Sequence, residues 1–147
     1  MGCGYGRDSE FLASLGFEVT AFDVSPSAIA AVRERYPDSK VAYVVADLLD
    51  PPAEWRRAFD LVVENMTVQA LPVDLHARAI ARVAWLTGER LLVLAVARDE
   101  GAAPDGPPWP LTPSEVQAFQ TDGLSAVRVR RDEVRWTAEF VQQVAMN

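Results

Sequence analysis

The sequence predicts an α/β fold: a doubly wound, mostly parallel sheet with an antiparallel C-terminal strand pair. Three observations predict it. Apolar runs of strand length alternate with segments of helical period along most of the chain. The apolar runs end on acids, at Asp23, Asp47 and Glu64–Asn65, and ligands of such sheets bind at the carboxyl ends of the strands. The tail, LSAVRVRRDEV then RWTAEFVQQV, alternates as two strands with no helical segment between them. Right-handed crossovers then place helices on both faces of the sheet.

The elements follow in order. DSEFLASLG spaces Phe11, Leu12 and Leu15 as a helix and closes it at Gly16. FEVTAFD reads as a buried strand ending at Asp23. Ser25 caps the next helix, with Pro26 in its first turn. KVAYVVAD is a strand over Val41–Ala46, ending at Asp47. PPAEWRRA is a loop with a short helical turn, and FDLVVEN is an apolar strand ending at Glu64. PVDLHARAIARVAWL lines Leu75, Ala79, Val83 and Leu86 on one face, with Gly88 as its stop and His76 as a solvated residue. ERLLVLAVAR is almost wholly apolar, as a strand covered on both faces would be. DEGAAPDGPPWPL is too long for a plain connection and is a candidate lid or substrate loop. Thr112, Pro113 and Glu115 then stand at the N-cap, N1 and N3 positions of one more helix.

Composition narrows the functions. The 147 residues suffice for one domain with a real core. A net charge of −7 and a pI near 4.7 repel polyanions, so nucleic acid is not an expected partner. One cysteine, Cys3, and one histidine, His76, provide neither a disulfide nor a metal cluster. No apolar run approaches the ~20 residues of a spanning helix, and the start has no basic and apolar leader pattern. A soluble, cytoplasmic protein with no membrane partner is expected.

The chemistry concentrates in MGCGYGRDSE and the strand-end acids. Gly2, Gly4 and Gly6 let backbone approach a ligand closely, and Asp23 stands at the distance along the chain where an acid can bind a ribose diol. The dinucleotide fingerprint needs a small residue three positions after Gly4, and Arg7 is there instead. The pattern G-x-G-x-G fits a nucleoside without a pyrophosphate and disfavours a nicotinamide oxidoreductase. Bland readings stand beside each assignment: a tight turn for the glycines, an Asx turn or helix cap for Asp23 and Asp47, and a backbone-bonded strand terminus for Glu64–Asn65. Trp109 either caps a substrate pocket or pins its own loop to the core. Arg128, Arg130 and Arg131 read as a solvated strand face.

Four stretches together, GCGYGRDSEFLASLGFEVTAFDVSPSAIAAVRER, ADLLDPPAEW, FDLVVENMTVQALP and GPPWPLTPSEVQAF, resemble the class I S-adenosylmethionine (SAM)-dependent methyltransferases, nearest the thiopurine methyltransferase-like branch. The resemblance implies a Rossmann-like sheet and SAM as cofactor, with a small-molecule thiol, amine, hydroxyl or chalcogen as methyl acceptor. It implies that Gly2, Cys3, Gly4 and Gly6 wrap the methionine part of SAM. Asp23 would hold the ribose and Val24 would lie against adenine, whose amino group Asp47 would meet while Leu48 packs on the ring. Glu64 and Asn65 would sit near the sulfonium as the candidate catalytic residues, with Thr67, Gln69 and Trp109 toward the substrate. The family's core begins with a strand directly before the glycine turn, where this sequence has only Met1. The resemblance thus implies one domain over residues 1–147, incomplete at its N-terminus, with a first strand missing and an unpaired sheet position that a second copy could fill. A second reading stays open: a non-catalytic truncated remnant that binds nucleoside or acts as an oligomer-forming scaffold.

Overall fold

A computed structural model describes residues 1–144, which divide into two compact units, Met1–Pro51 and the chain from Pro52 on. In the first unit, helix α1 (Arg7–Ser14) starts from Gly6 in the left-handed region, with Asp8 and Glu10 in its first turn, where the helix dipole favours acids. It ends at Gly16, φ 96°, whose amide bonds Ala13 O at 3.0 Å while Phe17 N reaches Leu12 O at 3.3 Å. This is the paired termination that a left-handed residue after the C-cap permits. The helix lies where its spacing predicts, but its apolar face is not wholly inward: Phe11 and Leu15 are exposed, and Ser9 is the residue that it buries.

Strands β1 (Thr20–Asp23) and β2 (Ala42–Val45) pair in parallel, Thr20 opposite Ala42 through Asp23 opposite Val45. Helix α2 (Pro26–Arg35) joins them, capped as expected by the Ser25 side chain, which accepts from Ala28 N. Its Ile29 and Val32 meet Ala21, Val41 and Tyr43 in the core of this unit. Each such aliphatic side chain contributes about 1.5–3 kcal/mol when buried.

The second unit begins with a 3-10 turn, Ala53–Trp55, and strand β3 (Phe59–Asn65). A second 3-10 turn, Val68–Ala70, leads into α3 (Val73–Leu86), which runs directly into β4 (Thr87–Val96). Helix α4 (Pro113–Gln117) and strands β5 (Leu124–Arg131) and β6 (Arg135–Gln142) complete it. The sheet order is β3-β4-β6-β5, with β3 and β4 parallel and β6 antiparallel to both its neighbours. The expected α/β alternation, parallel crossovers and antiparallel C-terminal pair are all present.

Two expectations need correction. Gly88 does not stop α3: the helix ends at Leu86, Thr87 turns the chain, and its hydroxyl bonds Val83 O at 2.9 Å. Gly88 lies inside β4, where a Cβ would meet Arg57 O at 2.7 Å and Phe59 O at 3.0 Å, so glycine is required there by close backbone approach. Strand β4 is not buried on both faces. Leu91, Val93 and Ala95 are buried and share their face with Val62, Ala138 and Phe140, while Leu94 between them is 38% exposed. Among the described residues, no helix is long and apolar enough to cross a membrane.

Candidate active site

In the first unit the glycine turn is tied to the end of β1. Gly2, Gly4 and Gly6 all have positive φ, at 53°, 51° and 80°. Cys3 N bonds Phe22 O at 3.1 Å, and Gly6 N returns to Cys3 O at 2.9 Å, so the turn folds back on itself beside the strand. Asp23 closes the arrangement: its Oδ1 accepts from Ser25 N at 3.0 Å, and its Oδ2 has a long 3.4 Å contact with Gly4 N. Burial, with the Asp23 charge beside it, pushes the Cys3 thiol up, so it is not an activated thiolate.

Val24 follows Asp23 with its side chain exposed, whereas Leu48 is buried in the core. Asp47 lies two residues beyond β2 and accepts from Leu49 N at 2.9 Å. The turn is held from beneath as well. Glu10 Oε1 accepts from Ser39 at 2.5 Å and from the Tyr43 phenol at 2.7 Å, linking α1 to β2. Burial and this carboxylate push the Tyr43 phenol up.

In the second unit the polar cluster gathers around Glu64. Its residue is fully buried. Oε1 accepts from Thr67 N at 2.5 Å and Val68 N at 3.1 Å, while Oε2 has no hydrogen-bond partner among the described residues. Burial pushes this carboxyl up, against the downward pull of the Val68 and Thr67 amides. The chain after Asn65 turns sharply because Met66 takes φ 61° and sends its amide to Leu94 O at 2.8 Å. Gln69 is buried and holds two segments: its Oε1 accepts from Val96 N and its carbonyl accepts from Trp109 N, both at 2.7 Å. Trp109 is half-buried at the foot of the loop, whose residues 99–108 are exposed. Hydrogen bonds thus join Glu64 to Thr67 and Val68, and Gln69 to Val96 and Trp109.

A family model described as "Methyltransferase domain" matches residues 1–88, more than half of the chain. The chain belongs to this methyltransferase domain family. Among curated relatives, a malonyl-[acyl-carrier protein] O-methyltransferase of Anoxybacillus flavithermus is 32% identical over 61% of this chain and 34% of its own length. A probable S-adenosylmethionine-dependent methyltransferase of Mycobacterium tuberculosis is 29% identical over 87% of this chain and 45% of its own. The chain therefore spans less than half the length of these curated relatives. Among solved structures, magnesium protoporphyrin IX methyltransferase from Synechocystis PCC 6803 with bound SAH superposes with a TM-score of 0.77 at 19% identity. That match covers 97% of this chain and 72% of the other, and shows the shared Rossmann-like methyltransferase fold.

One polar cluster escaped the sequence. His76 is not solvated but 1% exposed, with both ring nitrogens engaged, by Leu71 O and by Glu115. Its signal was position: His76 stands four residues before Ile80 on the stripe that α3 buries. The arginines of β5 are not all plain solvated groups either. Arg131 bonds Asp99 at 2.7 Å and lies over the Trp136 ring.

Proposed function

We propose that the protein transfers a methyl group from SAM to a small-molecule nucleophile (a thiol, amine, hydroxyl or heavier chalcogen) in the manner of the thiopurine methyltransferase-like enzymes. Residues 1–147 are read as one methyltransferase domain. The observation that carries the proposal is the Asp23 carboxylate, turned by Ser25 N at the mouth of a glycine turn, with one oxygen engaged, among the described residues, by a long 3.4 Å contact. An acceptor of that kind suits the paired hydroxyls of a ribose. Exposed Val24 beside it offers an apolar surface to a base, and the positive-φ glycines expose backbone to the methionine part. Asp47 is the second strand-end acid of this unit and is assigned to the adenine amino group. Leu48, buried as it is, shapes the floor rather than the surface.

SAM, when bound, supplies a methyl already activated as a sulfonium. The acceptor's lone pair forms the new bond to that carbon while the carbon–sulfur pair returns to sulfur, leaving S-adenosylhomocysteine. The protein's own part is to orient and to keep water out. Glu64 suits a cationic or hydrogen-donating group, because its buried Oε2 lacks a partner among the described residues. Asn65, Thr67, Gln69 and Trp109 are assigned to the acceptor side, and the acceptor's proton leaves to water or to a carboxylate, Asp8 or Glu64. The acidic chain makes nucleic acid an unfavourable acceptor.

Calorimetry with SAM and with S-adenosylhomocysteine tests the reading. Loss of a hydrogen bond to a charged group costs about 1.5–3 kcal/mol, so Asp23→Ala should weaken binding about 10–150-fold. Failure of both ligands to bind folded wild-type protein at millimolar concentration would sink it. Transfer of label from SAM to a panel of thiols and amines then separates an enzyme from a binding scaffold.

A further inference from the structure

Helix α1 carries its large apolar side chains on the wrong side. Its inward side bears small or polar groups. Ser9 is buried, Ala13 packs on the core of the first unit, and Glu10 accepts from Ser39 and from the Tyr43 phenol. Its outward side bears the large apolar ones: Phe11 is 62% exposed and Leu15 59%, and Phe17, just past the helix end, is 49% exposed. A surface helix of a globular protein turns its apolar stripe to the core and its polar face to water. Two phenyl rings and an isobutyl group left in water on one short element forgo the gain of burial, and exposed apolar patches of this kind mark contact surfaces.

The strip has a centre and two unlike ends. Arg7, Phe11 and Leu15 stand four residues apart, so they share one side of the helix, with Phe11 midway. Arg7 is exposed at the first helical position, where the dipole of its own helix disfavours a cation. Glu18 is exposed at the other end, directly after Phe17. Neither the Arg7 guanidinium nor the Glu18 carboxylate has a partner among the described residues. A strip that runs cation, apolar, apolar, acid is complementary to itself when turned end for end. A two-fold axis at Phe11 sets ring against ring. It also brings Arg7 of each copy toward the acid end of the other and lays the two helix dipoles antiparallel.

We propose that the outward face of α1 is a self-association surface, and that its occupant is the same face of a second copy packed antiparallel. Side chains make this contact, which separates it from pairing through a sheet edge. The helix has 8 residues and is thus about 12 Å long, far short of a standard interface. The net charge of −7 on each copy also opposes approach. The dimer is therefore weak, with a dissociation constant on the order of 100 µM.

Sedimentation equilibrium tests this, with reductant present so that Cys3 cannot cross-link copies. At about 0.15 M salt a Debye length of about 8 Å screens the distant charges and spares close pairs. Wild type should pass from monomer to dimer between about 10 µM and about 1 mM. Phe11→Gln keeps a good helix former at an exposed site and should weaken the dimer about tenfold or more. Arg7→Glu and Glu18→Arg should each weaken it about fivefold. The double variant R7E/E18R should return to within about twofold of wild type, because the exchanged charges meet again. Monomer throughout the range overturns the proposal. So does a dimer that Phe11→Gln leaves intact, since the contact then lies elsewhere. So does a double variant no stronger than the single ones, which removes the antiparallel register. If Phe11→Gln disturbs the circular dichroism of the helix, the charge exchange decides alone, because Arg7 and Glu18 are exposed. No arm uses SAM, so failure of this surface and failure of the methyltransferase reading remain distinguishable.

Discussion

Adding one methyl group at Gly6 should damage the first unit in two separable ways. Gly6 has φ 80°, and a Cβ there would stand 2.6 Å from Val32 Cγ2 and 2.8 Å from the Tyr43 hydroxyl. The left-handed backbone costs an L-residue about 1–2 kcal/mol and an overpacked core about 1–3 kcal/mol, so Gly6→Ala should lose about 2–5 kcal/mol. Gly16→Ala is the control: its φ is 96°, but nothing lies within 4 Å of the added Cβ. That variant bears the backbone cost alone, about 1–2 kcal/mol. In urea, with a slope of about 2 kcal/mol/M, the Gly6→Ala midpoint should drop by about 1–2.5 M. The crowding also pushes the Tyr43 hydroxyl away from its 2.7 Å bond with Glu10, so the tyrosine spectrum should change in Gly6→Ala and not in Gly16→Ala. Equal midpoint losses in the two variants would refute the crowding at Gly6, and with it the packing of the turn against α2 and β2.

The remaining predictions concern single groups. Burial pushes the Glu64 carboxyl up, so the folded protein keeps this proton to higher pH than the unfolded chain. Its contribution to stability is full below the ordinary carboxylate range and is lost as pH rises through the folded value. The urea midpoint of wild type should therefore fall relative to that of Glu64→Gln as pH rises above the ordinary carboxylate range, and parallel profiles would count against it. Ser25→Ala removes the acceptor for Ala28 N and should cost about 0.5–2 kcal/mol, whereas Ser25→Gly should cost only a few tenths. Thermal unfolding of the pair checks the cap, and equal losses would locate the effect elsewhere.

What was legible in the sequence was local. Ser25–Pro26 and Thr112–Pro113–Glu115 announce helix starts because the capping partners lie within three residues, and both caps form as expected. The strand ends at Asp23 and Glu64 were legible because an apolar run stops at an acid. Periodicity gives the position of α1 but not which of its residues meet the core, and Phe11 and Leu15 lie exposed. Gly88 reads as a helix stop in the sequence because glycine commonly ends helices. Its actual constraint, Arg57 O at 2.7 Å from a would-be Cβ, comes from a segment about 30 residues earlier and leaves no local mark. His76 reads as solvated for the same reason, since Glu115 lies 39 positions away.

The strand-end acids bring the bland and the functional readings together. Asp23 and Asp47 each accept the amide two residues on, Ser25 N at 3.0 Å and Leu49 N at 2.9 Å. These are the Asx turns that the bland reading expects. Glu64, one methylene longer, reaches the amides three and four residues on and does so in full burial. In each case one oxygen fixes the direction of the carboxylate. The turn does not compete with ligand binding, because a carboxylate has more acceptor sites than one amide uses. Among the described residues, Asp23 Oδ2 keeps a long 3.4 Å contact and Glu64 Oε2 has none. The cost of holding a buried oxygen without a partner is about 1–3 kcal/mol, more if it is charged. Gln could accept the same two amides with its oxygen, but it would set two buried N–H donors where Oε2 stands. Retaining the acid at that cost favours a donor or cation beside Oε2 as the group it serves.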